Sequence, residues 1–303
     1  MAMLSSQMSN LLDARVSRYF YQELSTWPKE YPQWCNVMSS ENSEERASGA
    51  TELTMPGEVG EFEQIPEAQF VEGQSKTWTH TKYGFKVTAS EELLEDQRHA
   101  VLDKTAGAVG RAMAHRIETQ GAYDLNSAFT VATIPANGTD EYLIQTNHAA
   151  WTGSGGGTQS NAPSTDVTLG IDAVWAGLNS MATLKDHAGN PAMVIMEKLV
   201  IHPNEERTAV EILESDKVAY KSTNETNAVR KKGLRYVIGH YLTASAAWYL
   251  LARKSPIDFY FRRKPRVRVV NTATNESRSW IISARLSHGA FDYLGIYGSD
   301  GVA

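Results

Sequence analysis

Apolar and polar residues alternate along several stretches of the chain, and a period of two is typical of a β-strand with one buried face. One such stretch contains Tyr83, Phe85 and Val87. Two longer stretches occupy residues 258–270 and 278–286, and the residues between them are rich in Asn and Thr. The chain is therefore predicted to form a long β-hairpin near its C-terminal end.

A second two-stranded excursion is predicted over residues 51–81, which are mostly polar and alternate at residues 76–82. Its tip is expected between residues 58 and 74. An isolated two-stranded hairpin is marginally stable in water, so this excursion needs a partner surface. The preceding residues 39–49 are polar, and we expect no regular structure there.

Helical spacing of apolar residues predicts a helix at residues 6–24 and a longer one at residues 101–120. The longer helix is rich in Ala and Gly. Gly107 and Gly110 each cost a helix about 1 kcal/mol relative to Ala, so they suggest that another backbone approaches closely. Thr88, followed three residues later by Glu91, matches a capping box, which predicts that the preceding strand runs directly into this helix.

The middle of the chain alternates predicted helices and strands, which is typical of a compact domain, here residues 137–254. Helices are predicted at residues 166–184 and 205–214. The apolar runs that predict buried strands are residues 193–195, 199–201, 234–238 and 246–252.

Composition places the chain among globular proteins and limits its function. The 303 residues carry 29 basic and 35 acidic side chains, and this net charge of -6 argues against a dedicated nucleic-acid binder. Cys35 is the only cysteine, which excludes an intrachain disulfide and a Cys-rich zinc site. No apolar run of membrane-spanning length and no signal peptide is evident, so we expect a cytoplasmic protein that does not bind a membrane.

The sequence offers no recognisable catalytic, cofactor or metal site, and we expect none. The motifs of zinc proteases, nucleophile elbows, dinucleotide-binding proteins and calcium loops are missing. The glycine-rich residues 153–157 lack the Lys of a phosphate-binding loop, which favours a linker. The acidic cluster at residues 91–96 has two interpretations, an acid/base pair or charges at a helix N-terminus, and the second is favoured.

The basic run between residues 253 and 268 is the strongest charge feature of the sequence. One interpretation is a sequence-independent contact with a nucleic-acid backbone, which would be sensitive to salt. The other is pairing with acidic residues of a neighbouring subunit, such as those at residues 58–72. We favour subunit pairing because the chain is acidic overall.

The order of several stretches resembles the major capsid proteins of tailed bacteriophages, specifically the Mu-like major head subunit group, which has the HK97-type capsid fold. The stretches that carry the resemblance are residues 16–21 (VSRYFY) with Tyr31, 37–40 (VMSS), 85–96 (FKVTASEELLED), 143–148 (LIQTNH), 189–191 (GNP), 199–203 (LVIHP) and 291–299 (FDYLGIYGS). The resemblance covers nearly the whole chain, and it implies an α+β fold.

The resemblance also implies a division of the chain into four parts. These are an N-terminal arm at residues 1–50, an extended loop at 51–84, a peripheral domain with a long spine helix at 85–136 and 255–288, and an axial domain at 137–254 and 289–303. In this family the extended loop lies over a neighbouring subunit. Residues 271–277 would form the tip that meets other subunits at local threefold contacts.

The function implied is that of a structural capsid protein that assembles as hexamers and pentamers into an icosahedral shell around double-stranded DNA. The implied partners are further copies of the chain, a separate scaffolding protein, a portal, a decoration protein and non-specifically packaged DNA. Assembly is expected in the bacterial host cytoplasm, and the final location is the virion capsid.

Two other functions stay open: an encapsulin-like nanocompartment shell that encloses an enzyme cargo, and an enzyme whose active domain is the inserted one. For the shell hypothesis we predict intersubunit contacts at Glu58, Glu61, Glu63, Lys76, Trp78, Lys82, Arg262, Arg263, Lys264, Arg266, Arg268, Asn271 and Asn275.

Overall fold

The computed structural model describes residues 5–50, 55–62, 64–65, 67, 72–90, 99–136, 139–149, 157–218, 225–272 and 277–301. The helices are α1 (Ser5–Thr26), α2 (His99–Gly121), α3 (Tyr123–Asn126), α4 (Ile171–Ala182) and α5 (Glu206–Leu213). The strands are β1 (Asn36–Ser39), β2 (Glu44–Ala50), β3 (Glu72–Thr79), β4 (Thr81–Ser90), β5 (Ala132–Pro135), β6 (Asp140–Tyr142), β7 (Met196–Ile201), β8 (Arg235–Ile238), β9 (Trp248–Ala252), β10 (Ile257–Thr272), β11 (Ser277–Ala290) and β12 (Ile296–Ser299).

A four-stranded sheet in the order β1-β10-β11-β4 forms one half of the molecule. Its centre is the antiparallel pair β10 and β11, so the predicted long hairpin is confirmed. β1 pairs in parallel with β10, and β4 pairs antiparallel with β11. Ile282 and Trp280 belong to the buried face of this sheet, in the same core cluster as apolar side chains of α1 and α2.

The helices α1 and α2 confirm the two helices predicted in this half, and they run parallel. Two ion pairs show the direction: the Nε of Arg15 lies 2.9 Å from Oδ1 of Asp103, and Nη1 of Arg111 lies 2.9 Å from Oε2 of Glu23. A Cβ atom at Gly110 would lie 2.7 Å from the carbonyl oxygen of Phe20. The glycine thus permits the close backbone approach that the sequence suggested.

A second four-stranded sheet, in the order β12-β9-β7-β8, forms the core of the other half. β7 and β9 lie at its centre and are almost completely buried, as expected for short apolar runs. Helix α4 packs on this sheet at Gly177, where a Cβ atom would lie 2.7 Å from the ring of Tyr297. The predicted helices at residues 166–184 and 205–214 are confirmed as the shorter α4 and α5.

The predicted excursion forms a two-stranded hairpin of β2 and β3, but it begins earlier than expected. Strand β2 covers residues 44–50, whereas no regular structure was expected at residues 39–49. Both faces of a two-stranded ribbon are largely open to solvent, so its residues need not be apolar, and hydrophobic periodicity alone misses it.

Two further predictions are wrong. Thr88 does not cap a helix: it lies inside β4, opposite Ser279 of β11, and the two hydroxyl oxygens are 3.0 Å apart. Backbone pairing along the sheet extends the strand past the expected helix start, and Glu91 lies outside the described residues.

The apolar residues 193–195 are not a buried strand. Met193 has a positive φ of 51°, which a strand cannot contain, and it is 82% exposed.

Candidate intersubunit surface

Basic side chains are concentrated on the face of the first sheet that points away from α1 and α2. Residues directly opposite each other on paired strands share a face. Lys82 of β4 lies opposite Arg285 of β11, which lies opposite Arg263 of β10. Lys86 and Arg268 both lie opposite Ile281.

Together these side chains form what we call the basic face, with members Lys82, Lys86, Arg263, Arg266, Arg268 and Arg285. An irregularity between Phe261 and Arg266 places both Arg263 and Arg266 on it, although they are three residues apart. Val267 and Val269 point to the opposite, apolar face. This is the alternation that the sequence predicted.

The three strands that form the basic face contribute no acidic side chain to it. Strands β4 and β11 contain no Asp or Glu, and β10 contains only Asp258, at the far end beside β1. Within the described parts of the chain, none of the six cations forms an ion pair. Burial and the charges of Arg266 and Arg285 lower the pKa of Arg263. The face is therefore a cluster of mutually repelling charges that favours a bound anion.

An acidic segment connects β2 and β3. Residues 51–71 between β2 and β3, which we call the acidic loop, contain five Glu and no Lys or Arg. Glu58 and Glu61 are exposed. Phe62 is 99% exposed and Ile65 is 79% exposed, so these large apolar side chains have no packing partner among the described residues. At these four residues the loop thus carries charge and apolar area that the described part of the chain leaves exposed.

Lys76 and Trp78 were predicted to contact a neighbouring subunit, and the structure places both in contacts within the chain. The Nζ of Lys76 forms an ion pair with Oδ2 of Asp140. Trp78 is buried, its ring centroid lies 6.2 Å from that of Tyr260, and it packs on Gly289. Their side chains secure the base of the hairpin.

The remaining predicted contact residues divide into three groups. Arg262 and Lys264 lie in the irregular part of β10, Lys264 exposed and Arg262 half-buried. Asn271 is exposed near the end of β10. Glu63 and Asn275 lie outside the described residues. Sequence reasoning missed Lys86 and Arg285, although their positions in alternating strands could have placed them beside the basic run.

Several histidines and carboxylates are buried together, but they support the fold. The Nδ1 of His148 lies 2.9 Å from Glu141, and burial lowers the pKa of this histidine. Glu118 of α2 accepts hydrogen bonds from the backbone N–H groups of Glu30 and Tyr31, both at 3.1 Å. Burial raises its pKa to about 7. Through its two hydrogen bonds Glu118 anchors the turn that follows α1.

Neither a metal site nor a membrane span emerges from the part of the chain that the structure describes. No group of three His, Cys, Asp or Glu side chains is arranged to hold a metal ion there. None of its helices is long and apolar enough to cross a membrane.

Three solved structures align with most of this chain. The virus-like particle protein from Pyrococcus furiosus aligns with a TM-score of 0.54 and 10% identity over 94% of this chain and 98% of that one. The capsid of the native GTA particle aligns with a TM-score of 0.55 and 14% identity over 90% of each chain. A protein of Microbacterium phage Oxtober96 aligns with a TM-score of 0.52 and 12% identity, over 90% of this chain and 91% of that one. The mixed fold expected from the sequence, the HK97-type capsid fold, is therefore confirmed.

Sequence comparison identifies the family directly. No curated protein sequence matches the chain. A family model described as phage capsid protein matches residues 73–299, which include nearly all of the hairpin strand β3, three strands of the first four-stranded sheet and the whole of the second. The chain therefore belongs to the phage capsid protein family.

Proposed function

We propose that the chain is the major capsid subunit of a tailed phage and assembles as hexamers and pentamers into an icosahedral shell around double-stranded DNA. One observation carries the proposal: Glu58 and Glu61 of the acidic loop and the cations of the basic face bear opposite charges, and among the described residues none of them forms an ion pair. Contacts between two different patches on identical subunits are heterologous, and they generate rings when the rotation closes.

The acidic loop of one subunit would lie on the basic face of the next. Opposite charges steer such an encounter and fix its register, while fully desolvated apolar side chains supply most of the affinity. Phe62 and Ile65 are suited to the second task, since both are exposed and flanked by glutamates. The predicted roles of Glu58 and Glu61 on one side, and of Arg266 and Arg268 on the other, follow from this pairing.

Charge reversal tests the pairing. The double variant Arg266→Glu/Arg268→Glu should fold but assemble poorly, because it places carboxylates opposite the acidic loop. The double variant Glu58→Lys/Glu61→Lys should fail in the same way. Combining the four substitutions should restore much of the assembly, measured as the yield of closed particles by electron microscopy and sedimentation.

A matched control is Lys217→Glu/Lys231→Glu, which reverses two exposed charges outside the basic face and should assemble normally. If the combined variant assembles no better than either double variant, the two surfaces do not meet. If Arg266→Glu/Arg268→Glu closes shells normally and only its nucleic-acid content falls, the basic face contacts DNA instead.

The finer assignments belong to the same proposal. The chain would act in the host cytoplasm without catalytic activity, as a member of the Mu-like group divided into arm, extended loop, peripheral domain and axial domain as the sequence suggests. It would assemble on a separate scaffolding protein, with a portal and a decoration protein as further partners. An encapsulin-like shell is disfavoured by the family match. Co-purification of a protein cargo in place of nucleic acid would reverse that preference.

A further inference from the structure

One of the two connections between the β2–β3 hairpin and the first sheet is a single residue, His80. β3 ends at Thr79 and belongs to the two-stranded sheet, whereas β4 begins at Thr81 and belongs to the four-stranded one. The other connection, between β1 and β2, consists of residues 40–43. No backbone pairing bridges the two sheets at this point, so side chains must fix the direction of the hairpin.

The side chain of His80 is buried in the corner between the two sheets. Its Nε2 lies 3.2 Å from the hydroxyl oxygen of Ser40, and its Nδ1 lies 3.0 Å from that of Ser287 in β11. The hydroxyl of Ser40 itself donates to the carboxylate of Glu45 in β2. His80 thus connects the body of the chain to the first residues of the hairpin.

The hydrogen bonds fit a neutral imidazole with its proton on Nε2. Because Ser40 donates its only hydroxyl proton to Glu45, its oxygen can only accept from the ring, so Nε2 is the donor. The Nδ1 atom then accepts from Ser287. A second proton on Nδ1 would remove that acceptor and leave two donors facing each other until the hydroxyl of Ser287 turns away.

Three charged groups face the ring from the elements around it. Glu45 from β2 has its carboxylate 3.6 Å from Nε2 and favours the protonated form. Arg262 from β10 and Arg285 from β11 disfavour it, and burial disfavours it most. The net effect is that the pKa of His80 is lowered while its ring is buried in this corner.

We propose that His80 is the latch of a pH-sensitive hinge, which holds the acidic-loop hairpin in one direction when the imidazole is neutral and releases it when the imidazole is protonated. The hinge is a property of the single chain and does not depend on the partner that the acidic loop contacts.

The direction of the pH effect follows from linkage. A histidine whose pKa is lowered by folding contributes its full stability at a pH above the pKa of the free imidazole, near 6.5. This stability is lost as the pH falls below that pKa. Because the pKa of the released imidazole is near 6.5, its protonation can raise the opening equilibrium by at most about tenfold at pH 5.5.

Amide hydrogen exchange on the full, unassembled chain tests the latch. Protection factors for β2 and β3, corrected for the intrinsic effect of pH, should fall by up to about tenfold between pH 7.5 and pH 5.5. Those of β7 and β9 should stay constant. His80→Gln, which cannot be protonated, should show equal hairpin protection at both pH values, and His240→Gln, at an exposed histidine beside Glu30, should behave as the unmodified chain.

Glu45→Gln provides a second variant in case His80→Gln does not fold. It removes the only one of these charges that favours the protonated ring, so the fall in hairpin protection between the two pH values should be larger than in the unmodified chain. The proposal is overturned if the unmodified hairpin keeps its protection at pH 5.5. It is also overturned if His80→Gln loses as much protection as the unmodified chain, or if Glu45→Gln loses less.

Discussion

Two glycines of α2 allow a direct measurement of how tightly α1 is seated. Gly107 and Gly110 lie three residues apart on the same helix and both face α1. A methyl group at Gly110 would lie 2.7 Å from the backbone oxygen of Phe20 and 3.1 Å from Cβ of Glu23. A methyl group at Gly107 would lie 3.2 Å from Cγ of Glu23, which belongs to a flexible side chain.

The two Gly→Ala substitutions should therefore have opposite signs. Each gains about 1 kcal/mol of helix propensity. At Gly110 the backbone of α1 must move, and overpacking of this kind costs about 1–3 kcal/mol, so Gly110→Ala should lower the free energy of unfolding by about 1 kcal/mol. At Gly107 the side chain of Glu23 can rotate away, so Gly107→Ala should raise it by about 0.5 kcal/mol.

Urea unfolding of the unassembled chain, followed by circular dichroism, measures both changes. The difference between the two variants matters more than either value, because the propensity gain is common to both. If Gly110→Ala is as stable as Gly107→Ala, then α1 does not pack closely on α2 at Gly110.

Three further substitutions test other contacts. Glu118→Gln should raise the free energy of unfolding at pH 8 by about 1–2 kcal/mol and have little effect at pH 5. The reason is that folding raises the pKa of Glu118 to about 7, so the unmodified chain loses stability as the pH rises from about 4.5 to 7. Urea unfolding at the two pH values measures this difference. Asp13→Asn should lower the melting temperature, because it removes the charge that pairs with the largely buried Arg278, at a cost of about 2–4 kcal/mol. Gly289→Ala would place a methyl group 2.0 Å from Nε1 of Trp78, so it should displace the indole and shift its fluorescence.

The sequence predicted elements whose partners are adjacent in the chain. The hairpin of β10 and β11 was predicted because alternation and a turn-rich connection are local signals. The strand β2 was missed because it is polar, and its existence depends on pairing with β3, more than 20 residues later. Residues 193–195 were misread because an apolar run does not reveal whether a partner covers it.

The candidate surface was predicted only in part, for a similar reason. The basic run in β10 is visible in the sequence, but its extension to Lys86 and Arg285 depends on the register of three strands. Lys76 was assigned to a neighbouring subunit, yet its partner Asp140 lies 64 residues away in the same chain. A local pattern identifies a charge, whereas only the folded chain identifies its partner.

The strand order of the first sheet also governs when a nascent chain can acquire this fold. β1 and β4 flank the central pair, yet Asn36 and its bonded partner Asp258 are 222 residues apart. During synthesis both early strands must wait, with open edges, until β10 and β11 have left the ribosome. Open edges invite pairing with other chains. Chains interrupted before β10 would therefore never present the basic face, so translation itself would exclude incomplete subunits from assembly.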